Sequence, residues 1–483
     1  MGILAIAVVA PNLFAILRDW GVNSAMTRFI AKYKSENKMA NVKGILSAGV
    51  LFELTLGLSL SLLSFILSDF MATNLLQRPD IAPLIQIASF NILANALLTA
   101  TQSIFTGYER MELQSITLVL QSSLKAVLSL LLVIFGLGVF GAVIGNTIAL
   151  LTSGLLSTSM LYIVIYKNTE KLTKQKLRII ENIKTMLKYG LPISISAILN
   201  GLLAQIQNFL VAIYVINQLI GNYSVALNFA VLITFFATPI TTVLFPAFSK
   251  LNMQKEKETL GNVFQFSVRY AALLVVPATA LVIVLAQPAV FTLFGEKYAE
   301  APLYISLYAM IYLFAAFGSL SVGALINSQG QTKVNLKITL ATLATAIPLS
   351  IILIPTYGIT GLIITTLVSR FPSTIISLWW IKKHLAAKID LSSSTRILIA
   401  SAIAATPTYL LTTQLTQPDW LTLILGATIY LASYMITAPL IGAIDQTDTR
   451  NLKEMTKTLG PLTPIINIPL NIIEKLTTKI QTK

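Results

Sequence analysis

Cysteine is absent from this 483-residue chain, histidine occurs once, and only 11% of the residues are charged. The missing thiols remove disulfides, thiolate metal sites and cysteine nucleophiles. The scarcity of charge excludes a water-soluble globule, which is normally about 25% charged. No phosphate-binding loop, metal-ligand cluster or nucleophile motif stands out, so no catalytic or metal-binding residue is assigned and no enzyme or bound cofactor is expected. Acidic residues are scarce as well: 19 Asp and Glu face 34 Lys and Arg, a formal charge of +15. Such an excess would suit nucleic acid, but its placement argues against that partner.

What the chain has in abundance is apolar sequence, 55% of its residues, with a mean hydropathy of +0.79. Segments near the roughly 20 residues that a spanning helix needs occur at 3–28, 45–68, 81–105, 115–135, 139–165, 189–214, 219–246, 263–288, 301–326, 336–354, 358–381, 396–415 and 421–443. The expected fold is therefore an all-α polytopic membrane protein with about 13 transmembrane helices. All but six of the Lys and Arg residues sit in every second gap or in the tail; only Arg78 and Lys297 lie in the alternate gaps. Short Lys/Arg-rich loops stay cytoplasmic, so loops 28–43 and 167–187 and the tail after Asp445 are expected there, against anionic lipid headgroups. The tail carries IINIPLNIIEKLTTKI, which predicts a helix lying on the cytoplasmic surface. Trp379, Trp380 and Trp420 read as interfacial anchors, and His384 among lysines as an interfacial residue. Pro11, Pro239, Pro277, Pro348, Pro372 and Pro407 fall inside the segments, as simple kinks or as breaks lining a cavity.

An internal repeat emerges when the segments are aligned. GVFGAVIGNTIALL places glycines at Gly138 and Gly141, and YGITGLIITTLVSR places them at Gly358 and Gly361, an offset of 220 residues. Upstream, each copy carries a polar turn: TGYERMELQSI at 106–116 and NSQGQTKVNLKI at 327–338. That offset spans six helices, so the second half is a six-helix bundle at 188–382. The first half, 1–166, shows five, and a further helix before Met1 is expected if both halves share one orientation. The linker is 167–187, an accessory helix pair occupies 395–444, and the tail is 445–483.

Four basic residues interrupt apolar segments: Arg18, Lys125, Arg269 and Arg370. At 1.5 Å per residue in a core about 30 Å thick, Arg18, Asp19, Lys125 and Arg370 lie near the midplane, with Glu53 shallower. Arg269, shallower still, has a structural reading. A charge facing lipid at depth costs about 2.5–3.5 kcal/mol, so the deep set must face protein or a water-filled cavity. Two readings stand: a buried pair such as Asp19 with Lys125 that only locks helices, or a cationic lumen in which Arg18, Lys125 and Arg370 bind an anion. Guanidinium and ammonium groups bind phosphate by charge-assisted hydrogen bonds, so the excess of cations suits a pyrophosphate or an acidic sugar. Asp19 and Glu53 are the candidates for a coupling H⁺ or Na⁺.

The runs RDWGVNSAMTRFIAKY (18–33), TGYERMELQSI (106–116), KYGLPISISAILN (188–200), NYSVALNFAVLI with LFPAFSKL (222–251) and ALINSQGQTKVNLK (324–337) stand in order on their helices. Together they resemble the multidrug/oligosaccharidyl-lipid/polysaccharide flippase superfamily, and within it the polysaccharide-biosynthesis (Wzx-type) flippases. The resemblance implies two six-helix bundles plus an extra helix pair, alternating access, and a lipid-linked oligosaccharide carried across the cell membrane, with a polysaccharide polymerase or glycosyltransferases as candidate partners. On segment 189–214, where relatives often carry a carboxylate, this chain has Gln205, Gln207 and Asn208, which join the candidate substrate-binding set. The rival readings are a cation-coupled multidrug exporter, disfavoured by the cationic excess, a membrane glycosyltransferase, disfavoured by short loops, and a non-transporting scaffold.

Overall fold

The computed structural model describes residues 11, 14, 18, 20–75, 79–167, 178–385, 389–414, 418–456 and 463–481. Asp19, linker residues 168–177 and most of the first expected segment lie outside them. Among the described residues every regular element is helical. Nine helices among the described residues are long and apolar enough to cross a membrane, or ten if a pair bent by 54°, Ala301–Phe317 and Ser319–Ser328, is one span. The bend falls at Gly318, whose φ of 81° is left-handed, and not at a proline. Two of the nine, Met111–Tyr166 and Thr332–Leu385, run to 56 and 54 residues, more than twice the roughly 20 residues that a bilayer requires. Each contains two of the thirteen expected segments, so the count of nine or ten is not a count of crossings.

The glycines of the repeat explain both long elements. Gly138 has φ 50° and ψ −127°, and Gly358 has φ 58° and ψ −130°, a region open only to glycine. Beyond each, a second glycine lets the returning helix press on backbone: a Cβ on Gly141 would lie 2.7 Å from the carbonyl oxygen of Leu132, and one on Gly361 2.0 Å from that of Leu353. The upstream turns match as well, at an offset of 221. Glu109 and Gly330 are both left-handed, at φ 60° and 78°. Arg110 N–H donates to the Phe105 carbonyl at 2.9 Å, as Gln331 N–H does to the Ile326 carbonyl at 3.0 Å.

By compactness the chain forms two units that cut across the repeat: 1–198 with 245–252 and 326–336, and 199–244 with 253–325 and 337–483. The first holds α1 (Val22–Ser35), α2 (Met39–Ile66), α3 (Ala82–Tyr108), α4 (Met111–Leu132), α5 (Gly138–Met160) and the start of α6 (Ile179–Tyr214). Here α3 packs against α1, α2 and α5. Lipid tails are as apolar as leucine, so close backbone approach and small polar bridges hold such helices together. Gly57 on α2 faces Ala96 on α3, with space for no Cβ. Ser61 donates to the Ser89 carbonyl at 2.9 Å, Ser64 and Ser89 share a 2.7 Å bond, and Thr101 donates to Ser157 on α5 at 2.9 Å.

The second unit contains the remainder of α6 and parts of α7 (Asn217–Lys250) and α12 (Thr332–Val368). It also holds α8 (Lys257–Val284), α9 (Ala286–Phe294), α10 (Ala301–Leu313), α13 (Arg370–Leu385), α14 (Leu391–Gln414), α15 (Asp419–Leu440), α16 (Gln446–Thr456) and α17 (Thr463–Gln481). Ser319–Ser328, which precedes α12, is α11. An alanine-rich seam of Ala272, Ala316, Ala400, Ala404 and Ala438 joins α8 to the pair α14–α15, and Tyr430 donates to the Pro277 carbonyl at 2.9 Å. The expected tail helix is α17. Its Leu470 and Ile473 are buried, Ile473 packing with Ala438, Ala443 and Ile444, while Ile472 is exposed.

Gly21 ends the RDWG run at φ 74°, and a Cβ there would lie 2.3 Å from the Gly190 carbonyl oxygen. Gly21→Ala therefore adds a left-handed penalty of roughly 1–2 kcal/mol to a backbone clash, and is expected to lower the thermal unfolding midpoint followed by tryptophan fluorescence. Gly201→Ala on α6, with open space around it, is expected to leave the midpoint unchanged or raise it, since alanine favours a helix interior.

Candidate functional site

Glu53 lies halfway along the 28-residue α2 and is fully buried. A lone carboxylate there would be costly. Arg18, just before α1, answers it: its Nη1 donates to Glu53 Oε2 at 2.7 Å and to Thr99 Oγ1 on α3 at 2.9 Å. Asn23, on the first turn of α1, donates through Nδ2 to Glu53 Oε1 at 3.0 Å. Arg18 is 7% exposed. Two further buried atoms of this cluster, Arg18 Nε and Asn23 Oδ1, have no hydrogen-bond partner among the described residues. The first unit thus carries a charge pair from three elements with one donor and one acceptor to spare, both suited to a polar ligand.

The sequence-predicted residues divide sharply around this cluster. Arg18 and Glu53, assigned separately to substrate and to a coupling ion, form one ion pair. Asp19 is outside the described residues, so the alternative of an Asp19–Lys125 pair is not described. Lys125 is exposed on α4, a helix whose only buried residues are Leu113 and Thr117, and it makes no ion pair with a described residue. In the second unit, Arg370 begins α13 and is exposed. Gln205 and Asn208 are exposed on α6, whereas Gln207 donates through Nε2 to the buried Ser350 Oγ on α12 at 3.1 Å. Asn23 and Thr99 were not singled out from the sequence. Asn23 stands inside the RDWGVNSAM run, but nothing in the composition of α3 marks Thr99 among its other threonines.

Arg269 takes part in an ion-pair network that joins α8 to the start of α16. Its Nε and Nη2 grip Asp448 at 2.9 and 2.5 Å, and Nη2 also meets Asp445 Oδ2 at 3.0 Å. The two aspartates cap each other's backbone, Asp448 N–H to Asp445 Oδ1 at 2.8 Å and Asp445 N–H to Asp448 Oδ2 at 3.0 Å. This reciprocal cap at the start of α16 holds both carboxylates toward α8. His384 stacks on Trp380 and its Nδ1 lies 3.0 Å from that residue's carbonyl oxygen. Lys43, read from the sequence as a loop cation, is instead buried within α2 beneath the ring of Tyr166.

The sequence profile of the family described as "Polysaccharide biosynthesis protein" matches residues 1–303, the part that includes every member of the Arg18 cluster. The chain belongs to that family. Its resemblance extends to an uncharacterized membrane protein of Methanocaldococcus jannaschii, MJ1068, at 24% identity over 77% of this chain and 76% of that protein. A "probable low-salt glycan biosynthesis flippase", Agl15 of Haloferax volcanii, is 19% identical over 54% of this chain and 57% of its own length. Among solved structures, a MATE transporter in a bent conformation superposes with a TM-score of 0.66 at 16% identity, over 83% of this chain and 90% of that one. A transporter of the MOP superfamily from Pyrococcus furiosus gives 0.65 at 16% identity, over 79% and 88%. The family member is thus a multi-pass membrane protein with a MATE-like fold, and the two structural neighbours are transporters.

Removing one partner of a buried ion pair leaves an uncompensated charge and costs about 3–5 kcal/mol, whereas replacing both by apolar groups is often neutral. Glu53→Ala is expected to lower the unfolding midpoint, and the double variant Arg18→Met/Glu53→Leu to recover most of that loss. Failure of the double variant to recover would mean that the cluster is held by more than the pair.

Proposed function

We propose that this family member is a flippase that moves a lipid-linked oligosaccharide, a sugar on a polyprenyl diphosphate, across the cell membrane by alternating access. The supporting observation is the buried Arg18–Glu53 pair, with a guanidinium edge and an amide oxygen still unpartnered in the middle of the apolar helices. A guanidinium binds a diphosphate through charge-assisted, often bidentate bonds, and here the substrate's anionic group would compete with Glu53 for Arg18. A proton reaching Glu53 would remove that competitor and release Arg18 to the substrate, and loss of the proton would restore the pair and expel the substrate. Asn23 and Thr99 would hold the two groups in place through either exchange. The lipid tail would stay in the bilayer, and no covalent bond would change. The positive-inside pattern supports a cytoplasmic tail, and the pathway chemistry supports glycosyltransferases or a polymerase as neighbours. Arg370 and the amides Gln205 and Asn208 are exposed in the second unit.

The test is transfer of a fluorescent polyprenyl-diphosphate sugar across liposomes holding the full chain. Arg18→Gln is expected to slow transfer by at least about tenfold, a loss of one charged hydrogen bond or more, with an unfolding midpoint restored by Arg18→Gln/Glu53→Gln. Glu53→Gln, which mimics the protonated acid, is expected to retain substrate binding but to slow release, and so transfer, while abolishing the response to a pH gradient. Transfer by the apolar double variant at the parental rate would reduce the pair to a helix lock. Extrusion of cationic drugs without any lipid transfer would favour the multidrug reading, for which the MATE-like fold is the observation.

A further inference from the structure

Within the first unit lies a cavity of about 340 Å³, lined by none of the residues of the Arg18 cluster. Its wall comes from three stretches: Arg28 and Phe29 on α1, Thr185, Lys188 and Tyr189 on α6, and 329–333, where the left-handed turn at Gly330 leads into α12. Arg28, Lys188 and Lys333 line it, and no carboxylate does. The α12 helix begins at Thr332, beside the cavity; Val334 N–H of its first turn donates to the Gln331 carbonyl at 2.8 Å, and the positive end of the helix dipole adds to the cationic wall.

Arg28 is built into this wall. Its Nε donates to the Ser328 carbonyl at 2.6 Å, and its guanidinium lies over the rings of Phe29 and Tyr189, 4.9 and 4.8 Å from their centroids. Tyr189 is held in turn by donating to the Asn327 carbonyl at 2.7 Å. A Cβ on residue 330 would come within 2.5 Å of Arg28 Nη2, so Gly330 supplies both the turn and the room for the fork. A guanidinium oriented in this way has its Nη groups preset for an anion, and the exposed Lys188 and Lys333 add charge at the rim.

We infer that this cavity binds a phosphate group, carried by a free phosphate anion or by an anionic lipid headgroup. The bound phosphate would bridge α1, α6 and α12 and so hold the 326–336 segment against α1 and α6. It would stabilise this arrangement over any in which the three stretches separate, because a ligand shifts an equilibrium toward the state that it binds. The site shares no residue with the Arg18 cluster and does not depend on which substrate is transported.

Two probes separate the sources. The purified full chain in detergent is titrated with radiolabelled pyrophosphate, and in nanodiscs it is examined by native mass spectrometry for retained phosphatidic acid against a phosphatidylcholine background. At least one probe is expected to bind, and Lys188→Gln/Lys333→Gln, two exposed changes, is expected to weaken it by at least about tenfold. Pyrophosphate lost in that variant identifies a free-anion site, and phosphatidic acid alone lost identifies a headgroup site. Absence of binding by both probes, equal binding by the variant, or loss on Arg18→Gln instead would each overturn the inference.

Discussion

A carboxylate in the middle of a bundle of apolar helices persists as an anion only where a cation meets it, and in the first unit that requirement falls on Glu53 and Arg18. Their 2.7 Å contact ties the stretch before α1 to the centre of α2, and Thr99 adds α3. Three elements must therefore share one register. The small residues along α2 and α3 make that register reachable, because Gly57 against Ala96 and Ser61 against Ser89 let the helices approach closely enough for the polar side chains to meet. The packing is built around a charge pair, and the pair is the feature best suited to exchange partners with an anionic ligand.

The repeat is written in backbone conformation more clearly than in residue identity. Gly138 and Gly358 share almost the same unusual dihedrals, and the turns at Glu109 and Gly330 share the same hydrogen bonds. In one copy the left-handed position is a glutamate, which pairs with Lys250 at 2.6 Å. In the other it is a glycine, which leaves space for Arg28. The same turn thus supports an ion pair in one half and the wall of a cationic cavity in the other.

Much of the fold was legible because the bilayer imposes a length and a hydropathy on each helix. The accessory pair, the tail helix and the glycine hairpins follow from segment lengths and from the 220-residue offset. The candidate site was legible only in part. Depth along a helix can be counted at 1.5 Å per residue, which brought Arg18, Lys125 and Glu53 to attention. Rotation about the helix axis cannot be counted in that way, since it depends on which neighbour packs where. Lys125 is therefore exposed while Glu53 is sealed. For the same reason Lys43 and Arg269 found partners that their neighbours in sequence do not suggest, Tyr166 and the Asp445–Asp448 cap.

By itself the sequence determined that this chain crosses a membrane several times, that it carries an internal repeat with an offset of 220 residues, and that a few charges lie within the apolar segments. Those properties are local, since each depends on the composition of one stretch and on the cost of exposing it to lipid. The tertiary structure decided which charges meet: that Arg18 answers Glu53, that Arg269 secures the tail, and that Arg28, Lys188 and Lys333 line one cavity. Those pairings join residues tens to hundreds of positions apart, and their energies depend on distance and burial, which exist only once the helices have packed.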